Sequence, residues 1–249
     1  MRLLNQVLTA AITLFIFLFP LHISAKTFYQ FEPATEEEKQ ARILFEPLVK
    51  DMIEVLNSEV PIKQDVTIVI GGDDGPLFDP QENKIYFPYS FFFFISDTFE
   101  NEELAIEETT FDETVMNIFV HVLLHEYAHA YFANWDVPLL GKEEDAADVF
   151  ATLLMLNVFD DPDMAYIAVD FYALLDTKTE TIADLDLWGE HSLDYQRYTQ
   201  SLCLIYGSDP EKYAFIMDKE LKGIERDTFC IEEFHLKNYN LGKIILSNQ

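Results

Sequence analysis

His125, Glu126 and His129 stand in the order H-E-x-x-H inside a long apolar run that begins near His121. On an α-helix, residues four apart project from one face, so His125 and His129 can share a single metal ion. Two imidazoles at that spacing suit zinc, and Glu126, beside a ligand but not on its face, is placed to act as general base. Glu126 lies among Val122, Leu123, Leu124, Tyr127 and Ala128. A carboxylate without a partner in such surroundings would be costly to bury, which points to a use for it.

Two histidines leave a catalytic zinc one protein ligand short, since three ligands with one open position is the usual set. Glu143, Glu144, Asp145 and Asp148 follow closely, at the start of the next apolar-periodic segment. Glu144 and Asp148 are again four apart. This permits Glu144 to bind the metal while Asp148 orients a ligand histidine through its other ring nitrogen. Glu143 and Asp148 remain alternatives as third ligand. Acidic residues in a first helical turn also offset the helix dipole, which accounts well for Glu143 and Asp145. Asp148, between Ala147 and Val149, is poorly explained that way.

The other histidines divide by context. His121 is about 12 Å along the axis from His129, too far to join one ion, and reads as a packed or hydrogen-bonded neighbour. His235 has no partner pattern, and His22 falls in the N-terminal apolar segment. His191, in a stretch running from Trp188 to Arg197, either caps the helix that follows or faces the metal as a stabiliser of an oxyanion. The sequence leaves both open.

The elements that must carry these residues are legible in outline. Thr110-x-x-Glu113 has the form of a capping box opening a helix to about Asn134. A break over residues 136–141 separates it from a helix running from about Lys142 to Asn157, which a short connection should fold back antiparallel. Further helices are expected within 164–175 and 192–206. Thr35-x-x-Glu38 opens an earlier helix whose apolar positions include Ile43, Leu44, Leu48, Met52, Ile53 and Leu56. Asp65–Ile70 and Lys84–Phe87 read as strands, and Pro88 suggests that the second lies at a sheet edge. Phe91–Phe94 reads as a core or interface segment, and residues 101–108 as an acidic loop.

The chain has 249 residues with 45 acidic against 16 basic, a net charge of −29. Nucleic acid and anionic lipid are therefore disfavoured partners. Arg2 followed by an apolar stretch to Leu21 and the small Ala25 reads as a cleaved signal peptide over residues 1–25, leaving one domain over 26–249 with no stable membrane span. Export to the periplasm or the extracellular space would place Cys203 and Cys230 in an oxidising compartment, where an even count suggests one disulfide, contributing roughly 3 kcal/mol.

The segments H-E-Y-A-H (125–129), L-G-K-E-E-D-A-A-D (140–148) and E-H-S-L-D-Y-Q-R (190–197) resemble a bacterial family of exported metallopeptidases of uncharacterised function. The first two together resemble the gluzincin type of zincin. The resemblance implies an α+β, zincin-like fold, mostly helical, with a small N-terminal β-sheet packed on the H-E-x-x-H helix. It implies Zn2+ on His125, His129 and Glu144, Glu126 as base, Asp148 behind a ligand and His191 close by. The activity it implies is hydrolysis of a peptide or protein substrate through a zinc-activated water. Two rivals stand beside this reading: an exported zinc-binding protein without catalysis, and an envelope interaction module using Phe91–Phe94. Oligomeric state is not readable.

Overall fold

A computed structural model describes residues 25–99, 110–158, 163–175, 187–221 and 226–248. Residues 1–24 of the expected signal peptide (1–25) and the acidic loop (101–108) thus lie outside the described residues. The architecture is α+β and mostly helical, with a small N-terminal sheet. Strands β1 (Thr27–Phe31), β2 (Val66–Ile70), β3 (Leu77–Asp79) and β4 (Lys84–Phe87) accompany helices α1 (Lys39–Glu59), α2 (Ser90–Phe99), α3 (Phe111–Trp135), α4 (Glu143–Val158), α5 (Asp163–Leu175), α6 (Asp194–Ser208) and α7 (Asp227–Ser247).

The sheet order is β1-β2-β4-β3, with β1, β2 and β4 parallel and β3 antiparallel to β4. Helix α1 makes the crossover between β1 and β2, as parallel neighbours require. Its buried stripe, Phe45, Val49, Met52 and Leu56, follows helical spacing. Ile43, expected on that stripe, is instead exposed.

One expectation about the sheet is overturned. β4 is an inner strand, because β3 pairs with its outer side through Leu77↔Tyr86 and Asp79↔Lys84. Pro88 lies just past the strand end, where its missing N–H removes no ladder bond. The edge on that side is β3, three residues long and without an alternating pattern that would mark it. Gly75 leads into it at φ 104°, and a side chain there would strike the backbone carbonyl of Tyr86. Only glycine combines that conformation with so close an approach.

α3 is the central element. Its capping box is formed: Glu113 N–H donates to Thr110 Oγ1 at 3.3 Å, and Thr110 N–H donates to Glu113 Oε2 at 2.8 Å. Helix α3 packs on α1, α4, α5 and strands β3 and β4, and it is buried nearly all round, as its lack of a polar face requires. Phe119 of α3 stacks on Phe45 of α1 with centroids 4.0 Å apart and meets Phe87 of β4 at 4.5 Å. This aromatic cluster fixes the helix against the sheet. The Phe91–Phe94 run is split by helical geometry: on α2, Phe91 and Phe92 enter the core while Phe93 and Phe94 are exposed.

Cys203 of α6 and Cys230 of α7 form the expected disulfide, across a separation of 27 residues. At the same crossing Gly207 lets the two helices approach, since a side chain there would strike the Cys230 carbonyl. Among the described residues no helix is long and apolar enough to cross a membrane.

Candidate metal centre

The break at residues 136–142 returns the chain so that α4 runs back along α3. The pairing is regular. His129 faces Glu144, His125 faces Asp148, and His121 faces Thr152. Each step of one turn back along α3 is a step of one turn forward along α4, the signature of antiparallel helices with matched four-residue spacing. The end of the pairing nearest the connection opens into a cleft, of about 510 Å³, lined by His125, Glu126, His129, Glu143, Glu144, Glu190 and His191, with Pro76, Leu77, Phe78 and Pro80 on the sheet side.

At the centre of the cleft a single oxygen, Glu144 Oε2, lies 3.0 Å from His125 Nε2, 3.3 Å from His129 Nε2 and 2.9 Å from His191 Nε2. The two Nε2 atoms of His125 and His129 are 3.2 Å apart. The opposite ring nitrogens are already committed to carboxylates. His125 Nδ1–H donates to Asp148 Oδ1 at 2.8 Å, and His129 Nδ1–H donates to Glu143 Oε1 at 2.9 Å. With Nδ1 so engaged, Nε2 is the atom that each ring turns toward the other and toward Glu144, the place that a proton fills in the metal-free site and that a metal cation would take.

The spacing has the right size for one. With bonds of about 2.0–2.1 Å in tetrahedral geometry, neighbouring donors of a zinc ion stand about 3.3 Å apart. His125, Glu144 and His191 offer ligand atoms that all lie within 4.8 Å of one another. The donor set thus fits a divalent metal of the nitrogen–oxygen type.

The electrostatics follow from partners competing with burial. Burial opposes charge on His125, but hydrogen bonds to Asp148 and Glu144 outweigh it and hold its pKa up at about 9. His129 is raised for the same reason, burial being outweighed by Glu144 and Glu143. Glu144 and Asp148 are also desolvated. The three histidines hold Glu144, and Arg197 with His125 holds Asp148, well below the usual carboxylate range. For Glu126 burial dominates and raises the pKa, with His125 and His129 partly opposing. Two carboxylates of one cleft, Glu126 and Glu144, are therefore driven in opposite directions by their surroundings, a pattern that marks functional sites.

Each predicted residue can now be located. His125, Glu126, His129, Glu144 and His191 meet in the cleft, and Asp148 lies behind His125. His121 is turned away: Nε2 is 3.1 Å from Thr152 Oγ1 and Nδ1 is 3.2 Å from Tyr172 Oη. Burial lowers its pKa to about 3, so it stays neutral there. His235 is on the surface of α7. His191 does not cap α6, whose N-cap is Leu193; it is on the loop before it, its ring stacked on His125 at 5.8 Å.

Sequence reasoning assigned no role to two residues and a different one to a third. Glu143, read as a helix-dipole charge or an alternative ligand, holds His129. Lys142 Nζ donates to the carbonyls of Gly189 at 3.1 Å and His191 at 3.0 Å, fastening the His191 loop to the start of α4. Arg197 grips Asp148. The signals available were that Lys142 and Arg197 are basic residues in a chain that has few, and that each lies inside a segment that carries the family resemblance.

Compared with known families, the chain matches the model of a family described as "Putative metallopeptidase" over residues 29–241, and it belongs to that family. Membership implies a metal and a peptide or protein substrate. No curated protein matches the chain. No solved structure matches it either.

Proposed function

We propose that this protein is a zinc-dependent peptidase of the gluzincin type, in which His125, His129 and Glu144 hold the ion and Glu126 is the general base. The observation that carries this reading is the meeting of three imidazole nitrogens on one oxygen of Glu144, at 2.9–3.3 Å, in an open cleft that also contains Glu126. Bound there, zinc would supply Lewis acidity toward a scissile carbonyl and lower the pKa of a water molecule.

The remaining work falls to the chain's own groups. Glu126 takes a proton from the attacking water and returns it to the leaving amine, for which a pKa raised by burial suits it. Asp148 and Glu143 hold the two histidines in the tautomer that turns Nε2 to the centre. His191 Nε2 donates to the oxyanion as the carbonyl becomes tetrahedral. The outer side of β3 flanks the cleft, and an extended substrate would add there as a further strand. The mature chain begins at or near Lys26 after export, the reading that the Cys203–Cys230 disulfide supports.

One observation favours a second reading. His191 Nε2 is as close to Glu144 Oε2 as the other two histidines are. As a fourth ligand it would close the coordination shell and leave a binding site without catalysis. The deciding experiment is zinc content with peptide hydrolysis on the chain starting at Lys26, for wild type, His125→Ala and His191→Ala. The peptidase reading expects about one zinc per chain, lost in His125→Ala. It expects His191→Ala to keep zinc and lose most of its hydrolysis. Zinc weakened equally by both substitutions, with no hydrolysis in wild type, would establish the binding protein instead.

A further inference from the structure

Behind Asp148 lies a buried polar chain that the proposed reaction does not use. Asp148 has both oxygens occupied: Arg197 Nε donates to Oδ2 at 2.8 Å, and Arg197 Nη2 donates to Oδ1, also at 2.8 Å, beside the His125 bond. The arginine is in turn held from its other side. Nη2 reaches Tyr172 Oη at 3.1 Å, and Cζ is 4.1 Å from the centroid of the Tyr172 ring. Tyr172 Oη continues to His121 Nδ1, and His121 Nε2 to Thr152 Oγ1, which donates to Ser201 Oγ at 3.5 Å. Four helices contribute: α3, α4, α5 and α6. The Arg197 and Asp148 side chains are only 11% and 7% exposed.

A planar fork that meets a carboxylate with two parallel bonds fixes its orientation as well as its position. With Asp148 gripped in this way, its Oδ1 can only face His125 Nδ1, and the carboxylate cannot rotate into the cleft. Of the two acidic residues that share a face of α4, Glu144 alone is then free to bind a metal. The sequence left Glu144, Glu143 and Asp148 as rivals for that place. Glu143 is engaged by His129, and Asp148 by Arg197.

We infer that Arg197 is a positioning residue of the metal centre, which acts through Asp148 by locking it as the orienter of His125 and excluding it as a ligand. Tyr172 is its brace: it stacks on the guanidinium and ties it to α3 through His121. The inference rests on the metal-centre reading above. A purely structural ion pair between α4 and α6 would explain the same contacts, so the test must separate metal affinity from folding.

That test is a double-mutant cycle on zinc affinity, measured in the chain starting at Lys26 by competition with a chromogenic chelator well below the melting temperature, using Arg197→Met, Asp148→Asn and both together. Losing the orienter should weaken zinc binding by about 10–100-fold. If Arg197 acts through Asp148, Arg197→Met should weaken it within that range and add almost nothing in the Asp148→Asn background. Cobalt(II) loaded into Arg197→Met should give an altered d–d absorption spectrum, since a released Asp148 can enter the coordination sphere. Should Arg197→Met fail to fold, Arg197→Lys keeps the charge but loses the fork, and the same cycle and spectrum apply. Full zinc affinity with an unchanged cobalt spectrum in a folded Arg197 variant would overturn the inference, as would additive losses in the cycle. Failure of wild type to bind zinc would instead remove the metal-centre reading beneath it.

Discussion

Replacing Glu126 by glutamine separates a catalytic carboxylate from a structural one. The substitution keeps volume and shape in a site that is only 9% exposed, so packing should be unaffected. Removing a general base typically costs 10²–10⁴-fold in rate, or about 2.7–5.5 kcal/mol in the barrier. The effect on stability should have the opposite sign. Burial is the largest influence on this carboxyl and raises its pKa above 4.5, with the charges of His125 and His129 opposing. An acid whose pKa is higher in the folded state than in the unfolded state loses stabilisation as pH rises from the unfolded value through the folded one. Glutamine has no such loss, so the metal-free variant should melt at pH 7 no lower than wild type. The assay is kcat/KM on a susceptible peptide, with zinc per chain and melting temperature measured on the same preparation. Glu126→Gln that cleaves as fast as wild type would refute the general-base role. Loss of zinc in that variant would show that Glu126 supports the metal rather than the proton transfer.

Three further outcomes follow from particular contacts. Lys142→Met keeps the aliphatic stem but removes the donors to the Gly189 and His191 carbonyls; kcat should fall by about 10- to 100-fold, with zinc content unchanged, as steady-state kinetics beside metal analysis would show. Asp170 of α5 has its pKa raised to about 6, by burial first and then by Glu220, with a Tyr198 hydrogen bond opposing. By the same sign rule it costs stability between about pH 4 and 6 and above, so Asp170→Asn should stabilise the fold at pH 7 by up to about 3 kcal/mol and flatten melting temperature against pH over that window. Cys203→Ser removes a cross-link spanning 27 residues, and should lower stability by about 3 kcal/mol and the melting temperature by about 6–12 °C, read by calorimetry.

Much of the local structure was written in the order of residues. The capping box at Thr110, the apolar run after it and the break at 136–141 delimit α3 and α4 to within a residue or two, because caps and period are properties of neighbours along the chain. The four-residue spacings of His125 with His129 and of Glu144 with Asp148 put each pair on one face for the same reason. What the sequence could not decide was which face meets which. The antiparallel register of α3 and α4, which opposes His129 to Glu144 and His125 to Asp148, depends on side-chain packing between helices. So do the partners of the acidic residues, because Asp148 is gripped by Arg197 of α6, from 49 residues away. His191 is a similar case, since its place beside Glu144 is set by Lys142 and by the path of a loop. The edge strand went unread because β3 is only three residues long, and which strand is outermost is a property of the whole sheet. Sequence spacing thus determined the kinds of donor and their local pairing, while only the tertiary structure decided their partners, because contacts between elements are set by packing energies that no local period encodes.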